Sequence, residues 1–391
     1  MSILSELEAK ASEYAEWRHA FHEHPEIGLD LEWTAARVAE KLRGWGIEVT
    51  EGIGRTGLVG VIRGDLGEGR TIALRSDMDA LPMQETGECP WKSRQEGAMH
   101  GCGHDGHMTM LLAAAQYLAA HRQFRGTVLL VFQPGEEGAD GANQMIRDGL
   151  FERFPCDEIY GMHNWTDIPV GEVRLRKGAT MSGQDFFSVK IRGRGAHGSA
   201  PQLSADAAMA AALITTALQQ IVSRNVAPLD VAVVSVTKIH AGSAFNIIPE
   251  EAELGGCTRF FSDETGALLR RRIEEVARTV GASCGVEVET VFTPIAAVLM
   301  SDDKLAEAMR EAVEEVVGEG RAAWSEQPQM ASEDFSYLVR EVPGAYCFLG
   351  GHAPYAAKNL HNPKFDFDDR VLATGAAIWV TVAMKRLAAQ G

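Results

Sequence analysis

Val128-Leu-Leu-Val-Phe132, followed at once by Gln133-Pro-Gly-Glu136-Glu137-Gly138, is the stretch from which the architecture can be read. It is a continuous apolar run of strand length, the pattern of a buried strand rather than of one with a solvated face. The proline and glycines that follow break the strand, so two adjacent carboxylates stand at its C-terminal end. Buried carboxylates are costly unless a cation compensates them. Neighbouring residues point in different directions, so one glutamate can hold a metal while the other faces a substrate.

The same grammar recurs in Thr71-Ile-Ala-Leu-Arg75-Ser-Asp77-Met-Asp79-Ala-Leu-Pro82 and in Ile159-Tyr-Gly-Met-His163-Asn164. Amphipathic helices are expected over 4–24 and 32–43 and a further helix over 108–121. Strands are expected near 47–62, 71–76, 127–132 and 158–162. Strand, helix, strand in this rhythm predicts a mostly parallel sheet flanked by helices, with functional residues at the strand C-terminal ends. The segment from Leu175 to Gly183, with Gly178 inside it, is a candidate hinge. Beyond it the pattern predicts strand 185–192, helix 204–223, strands 230–239 and 251–261, helix 263–282 and strand 286–292. That β-α-β-β-α-β order matches the ferredoxin-like split unit. After Thr293-Pro294 the chain returns to a helix over 302–317, a strand near 345–349 and a closing helix over 369–388. The fold class expected is α/β: a discontinuous domain of residues 1–183 and 295–391, with a ferredoxin-like α+β domain of residues 184–294 inserted as a dimerisation or lid element. At 391 residues, two domains are the natural prior.

Met99-His-Gly-Cys-Gly-His-Asp-Gly-His107 carries the densest chemistry, with one cysteine, three histidines and one aspartate spaced by glycines. Cys102 and His104 are two apart, so both side chains can point to one side. Thiolate with imidazole suits Zn, Ni, Co or Mn more than Mg or Ca. Taken alone the stretch could be a glycine-rich loop with incidental polar residues. His163, at a strand end, and His361, in Asn359-Leu-His361-Asn-Pro363, offer further ligands. Brought together, Cys102, His104, Glu137, His163 and His361 would make a two-metal site. Asp77 and Asp79 share a side and either make a turn or hold a ligating residue in orientation.

The bulk numbers bound the alternatives. A hydrophobic content of 46% with 23% charged residues is that of an ordinary globular protein. A net charge of −17 argues against nucleic acid and anionic membrane surfaces as partners. The six cysteines show no framework spacing, as expected of reduced thiols. The N-terminal residues show no apolar signal-peptide core, and the apolar stretch around Met108 to Ala120 is too short to span a bilayer; a cytoplasmic protein is expected. Gly193-x-Gly-x-x-Gly198 fits a dinucleotide fingerprint, but Gln219 to Asn225 lacks the acid it requires, so an NAD-dependent reading fails. A hydrolase using Cys102 as nucleophile and a non-catalytic small-molecule binder are the other readings.

Read in order, the chain carries His-Pro-Glu-Ile-Gly (24–28), Asp-Met-Asp-Ala-Leu-Pro (77–82), Met-His-Gly-Cys-Gly-His-Asp-Gly-His (99–107), Gln-Pro-Gly-Glu-Glu-Gly (133–138), Gly-Met-His-Asn (161–164), Gly-Arg-Gly-Ala-His-Gly-Ser (193–199), Ala-Phe-Asn-Ile-Ile-Pro (244–249) and Ser-Glu-Asp-Phe (332–335). This ordered set resembles the M20 metallopeptidase clan, and within it the hippurate hydrolase and auxin-conjugate amidohydrolase branch. The resemblance implies two divalent ions per subunit (Mn, Zn, Co or Ni) on Cys102, His104, Glu137, His163 and His361. It also implies Glu136 as general base and Asp79 as the supporting aspartate, with Asp77 its neighbour. Cys102 stands where other branches of the clan use a bridging aspartate. In the inserted domain, His197 would stabilise the oxyanion, and Asn246 and Arg259 would hold a substrate carboxylate. Without the resemblance these three read as loop polarity, an Asx-turn and an edge-strand charge. In many relatives they come from the partner subunit, so a homodimer, or a higher homo-oligomer, is implied. The implied activity is hydrolysis of small N-acyl amino acids to a carboxylate and a free amino acid, with no nucleic acid or membrane partner.

Overall fold

The apolar run of the opening stretch lies within the strand Thr127–Gln133, all but its first residue buried, near the middle of an eight-stranded sheet. The chain is described by a computed structural model over residues 2–388. From edge to edge the strands are Glu48–Ile53, Gly57–Arg63, Thr127–Gln133, Thr71–Asp77, Glu158–Trp165, Gly344–Gly350, Val173–Leu175 and Ala322–Trp324. The four from Thr127–Gln133 to Gly344–Gly350 run parallel and are buried along almost their whole length, which is why they read as continuous apolar runs. From Thr71–Asp77 the chain crosses through the helix His104–Ala120 to one neighbouring strand and later adds Glu158–Trp165 on the opposite side. The strand order therefore reverses at Thr71–Asp77, and such a switch point opens a crevice beyond the strand C-terminal ends.

Several elements differ from expectation for local reasons. The stretch near 47–62 is an antiparallel hairpin of two strands, turned at Gly54 and Arg55, both with positive φ. The helix expected over 4–24 is two, Ile3–Glu8 and Ala11–Glu23. The helix expected from 108 starts at His104, directly after Gly103 at φ +93°. It is buried on every side from His104 to Ala115, so it shows no polar stripe that would mark its start. The helix expected over 204–223 divides into Ala207–Leu218 and Gln220–Asn225.

The chain divides into two units: Met1–Thr180 with Met300–Gln327 and Asp334–Gly391, and Met181–Leu299 with Pro328–Glu333. In the second, four antiparallel strands lie in the order Ala232–Ala241, Glu251–Phe260, Gly183–Arg192, Glu287–Ala296. Helices Ala207–Leu218 and Asp263–Ser283 pack on this sheet and complete the β-α-β-β-α-β sequence. Along Gly183–Arg192, Phe187, Val189 and Ile191 are buried while Phe186, Lys190 and Arg192 are exposed, so one face of the sheet is covered. Ser262 caps the longer helix by accepting from the Thr265 amide, with Asp263 and Glu264 in its first turn. Among the described residues no helix is long and apolar enough to cross a membrane.

Candidate metal centre

The centre is built entirely within the first unit, at the C-terminal ends of its parallel strands. Gly103 turns the chain from the loop bearing Cys102 into the helix that opens with His104. A Cβ at this position would lie 2.5 Å from Asn164 Oδ1, so the turn requires glycine both for its positive φ and for space. Cys102 and His104 thus belong to different elements, a loop and a helical first turn, rather than to one extended segment.

The five side chains proposed as ligands converge. Cys102 Sγ is 3.3 Å from His163 Nε2 and 3.3 Å from His361 Nε2. Glu137 Oε1 is 3.2 Å from His361 Nε2 and 4.0 Å from His104 Nε2. Three overlapping triads, Cys102/His104/His163, Cys102/Glu137/His361 and His104/Glu136/Glu137, each place their ligand atoms within 4.8 Å of one another. Zinc bonds of about 2.0–2.3 Å in tetrahedral array imply ligand-to-ligand edges of roughly 3.3–3.6 Å, close to the spacings around Cys102. His163 Nδ1–H donates to the Asn164 carbonyl at 2.6 Å, which leaves Nε2 as the lone-pair nitrogen facing the thiol. His361 is held at φ +57°, rare for a non-glycine residue, and its amide donates to the Gly101 carbonyl at 2.8 Å.

Whether a cation fits can be tested on the buried polar atoms. Both ring nitrogens of His104 and Glu137 Oε1 are buried with no hydrogen-bond partner among the described residues. The carboxylates nearest His104 Nδ1 are Asp79 at 3.7 Å and Asp77 at 3.8 Å, beyond hydrogen-bond reach. Unpaired buried groups of this kind are expensive and rare; a cation between them would satisfy His104 Nε2 and Glu137 Oε1, which leaves Nδ1–H facing Asp77 and Asp79. Electrostatics agree. Burial works against the charged form of His104, yet Asp77, Asp79 and Glu137 raise its pKa to about 10. Burial, then Glu137, Glu136 and Asp77, push the Cys102 thiol well above its ordinary value. Burial and His107 hold His163 well below the usual imidazole range, in the neutral form a metal needs. A pocket this negative binds a proton or a cation strongly. The residues present fit a divalent metal, and a thiol held protonated is the opposite of an activated nucleophile.

Asp79 accepts from the backbone amides of both Glu136 and Glu137, at 2.9 and 3.0 Å, and so fixes the turn that presents the two glutamates. Asp77 instead meets His107 Nδ1 at 2.7 Å and accepts from Arg75 Nη1 at 2.8 Å. Sequence reasoning gave no role to His107, whose ring spans Asp77 and, at 2.6 Å, Asn164 Oδ1. Its signal was its place three residues after His104, the same side of a helix. Arg75, fully buried, also donates to Gln133 and to Asp334, and Asp334 accepts from the Ala142 amide. Asp334 is the second acid of the Ser-Glu-Asp-Phe motif, and it ties the Thr71–Asp77 strand to the segment after the glutamates.

In the second unit, His197 lies on the two-residue strand Ala196–His197, paired with Ile247–Ile248, and Asn246 adjoins that pairing through the bond from the Gly198 amide to its carbonyl at 2.7 Å. The His197 ring contacts Ser199 Oγ at 2.7 Å. Arg259 is on an inner strand of the sheet, not an edge strand, and donates to the Met330 carbonyl at 3.2 Å.

The sequence matches peptidase family M20/M25/M40 over residues 73–385. It is 42% identical to the hippurate hydrolase of Campylobacter jejuni over 390 residues, 99% of this chain and all of that protein. It is 36% identical to the IAA-amino acid hydrolase ILR1-like 4 of Arabidopsis thaliana over 97% of this chain and 88% of that one. Among solved structures, the Bacillus subtilis YXEP protein, described as a dinuclear metal binding peptidase from the M20 family, superposes with a TM-score of 0.82 at 29% identity, covering 97% of this chain and 99% of that one.

Proposed function

The chain belongs to peptidase family M20/M25/M40 and is an amidohydrolase, and on that premise we propose that it hydrolyses the amide bond of small N-acyl amino acids through a two-metal centre. The observation that carries the reading is the convergence of Cys102, His104, Glu137, His163 and His361 beside Glu136. The substrate class rests on the relatives: a hippurate and an IAA-amino acid conjugate are both amides joining an acyl group to an amino acid.

The five ligands would hold two divalent ions of the Mn, Zn, Co or Ni class. When bound, such ions supply Lewis acidity and lower the pKa of water. Glu136 accepts the proton that the attacking water gives up and delivers it to the leaving nitrogen as the C–N bond breaks. Glu137, committed as a ligand, has its basicity lowered by the cation it holds and is the poorer proton acceptor of the two. His197 stabilises the oxyanion, an electrostatic contribution of about 3–4 kcal/mol where such donors have been removed. Asn246 and Arg259 hold the substrate α-carboxylate, for which the planar guanidinium is well shaped.

The direct test is a panel of benzoyl, acetyl and indole-acyl amino acids offered to metal-reconstituted protein, with free amine as readout. Release from at least one class is expected; none from any, with ions bound, would overturn the substrate reading. On the best substrate, Arg259→Ala should raise KM for compounds with a free α-carboxylate and change little for their amides.

We propose further that the second unit forms a homodimer. Its strand Ala232–Ala241 ends the sheet, and Leu229, Val231, Ile239, Phe245 and Ile247 are exposed around it. Bare edges and apolar patches of this kind are normally covered. Mixing inactive Glu136→Gln with inactive His197→Ala protein would create one intact composite site if His197 serves the partner's centre. Recovered activity is expected; no recovery despite proven subunit exchange would place His197 in its own subunit's chemistry.

A further inference from the structure

His22, Glu85 and Cys89 form a second cluster of metal-type donors, in the first unit and separate from the five ligands above; their ligand atoms lie within 4.8 Å of one another. His22 is on the helix Ala11–Glu23, while Glu85 and Cys89 lie in the loop that leads toward Met99. From this geometry we propose that His22 Nε2, Glu85 Oε1 and Cys89 Sγ bind a further borderline divalent ion of the Zn(II) type, with a fourth position open to the adjoining cavity.

The His22–Glu85 spacing is longer than an ordinary charge-assisted hydrogen bond, and the Cys89–Glu85 spacing suits a thiol donor and a coordinated thiolate alike. His22 Nε2 and Glu85 Oε1 are 3.4 Å apart, and Cys89 Sγ and Glu85 Oε1 are 3.4 Å apart. A buried imidazolium–carboxylate bond closes to about 2.7–2.9 Å, and His22 Nδ1 does so with Asp105, at 2.8 Å. On its other side the same ring stands off. Tetrahedral zinc has edges of roughly 3.3 Å between nitrogen and oxygen and 3.5 Å between oxygen and sulfur, from the usual bond lengths. The first centre shows comparable edges, 3.2–3.3 Å around His361.

The supporting contacts are those of a metal site. Asp105 on Nδ1 fixes the His22 tautomer with Nε2 outward, the carboxylate–histidine arrangement that orients metal-bound imidazoles. Glu85 Oε2 accepts from the Ser93 amide at 2.7 Å, which leaves Oε1 for the ion. His22 and Glu85 are both buried and Cys89 is half-buried. A cavity of about 630 Å³ lined by Glu85, Cys89, Trp91, Tyr355, Lys364 and Asp366 gives access and room for a fourth ligand. The alternative use of Cys89, as nucleophile of a Cys89–His22–Asp105 set, is disfavoured: burial, with Asp366 and Glu85, raises the Cys89 thiol despite His22.

The test uses the full protein with its first centre loaded. Zn(II) titration with ion counting by native mass spectrometry should show one equivalent more in the unaltered protein than in Cys89→Ser or Glu85→Gln. Alkylation of Cys89, mapped by peptide mass, should slow about tenfold when Zn(II) is near ten times its dissociation constant. Cys89→Ser should retain amide hydrolysis. Equal ion counts in the parent and Cys89→Ser, or alkylation of Cys89 indifferent to Zn(II), would overturn the proposal and leave His22 as an imidazolium between two carboxylates. The alkylation measurement needs no variant, so it stands even if Glu85→Gln does not fold.

Discussion

Exhaustive chelation is expected to abolish amide hydrolysis, and Mn, Co, Ni or Zn to restore it. The reason lies in what a cation-free centre would have to tolerate. His104 Nε2 and Glu137 Oε1 would stay buried and unpaired, each costing about 1–3 kcal/mol. Without an ion, the group left facing the carboxylates is His104, which Asp77, Asp79 and Glu137 hold as a proton carrier rather than a Lewis acid. Chelation should therefore lower thermal stability as well as rate. An ion at a hundred times its dissociation constant contributes about 2.7 kcal/mol, which a thermal melt resolves. Cys102→Ser and His104→Ala should lose ion and activity together, because each belongs to more than one of the overlapping donor triads or shares an edge with the others. Full turnover by demonstrably metal-free protein would sink the metal-dependent mechanism.

How much of this was legible in the sequence depended on whether a residue acts through its neighbours in the chain or across the fold. The parallel strands were readable because both their faces are buried, so Val128–Phe132 carries no polar interruption. Their C-terminal ends were readable because Glu136 and Glu137 follow one apolar run after a Gln-Pro-Gly break and His163 closes another. The short strands Val173–Leu175 and Ala322–Trp324 carry too few residues for any period to register. The start of the His104 helix was hidden because its first turn, His104-Asp-Gly-His107, is polar and carries a glycine, as a loop would, and its capping position is a glycine. Arg75 drew no reading from its neighbours in the strand; its meaning lies in Asp334, remote in sequence, to which it donates at 3.1 Å. The cluster of His22, Glu85 and Cys89 was invisible for the same reason, being assembled from a helix and a distant loop.

The sharpest division of labour is between two adjacent glutamates. Glu136→Gln is expected to lower turnover by about 10²–10⁴-fold, the usual weight of general acid–base catalysis, while metal content and substrate affinity stay near normal. The substitution keeps the side chain's shape and removes only its capacity to carry a proton. Glu137→Gln should instead weaken metal binding, and activity should return in part at high metal concentration. The distinction rests on the turn itself. Asp79 holds both backbone amides, so consecutive side chains leave it in different directions. Glu137 is the one whose Oε1 lies 3.2 Å from His361 Nε2 with no hydrogen-bond partner, in the environment of a ligand. Glu136 lies within reach of His104 and Glu137 but is not a member of the Cys102/Glu137/His361 triad. Metal analysis of the two variants decides the matter without reference to rate. If Glu136→Gln lost the ions and Glu137→Gln kept them, the roles would be exchanged, and the base would have to be Glu137.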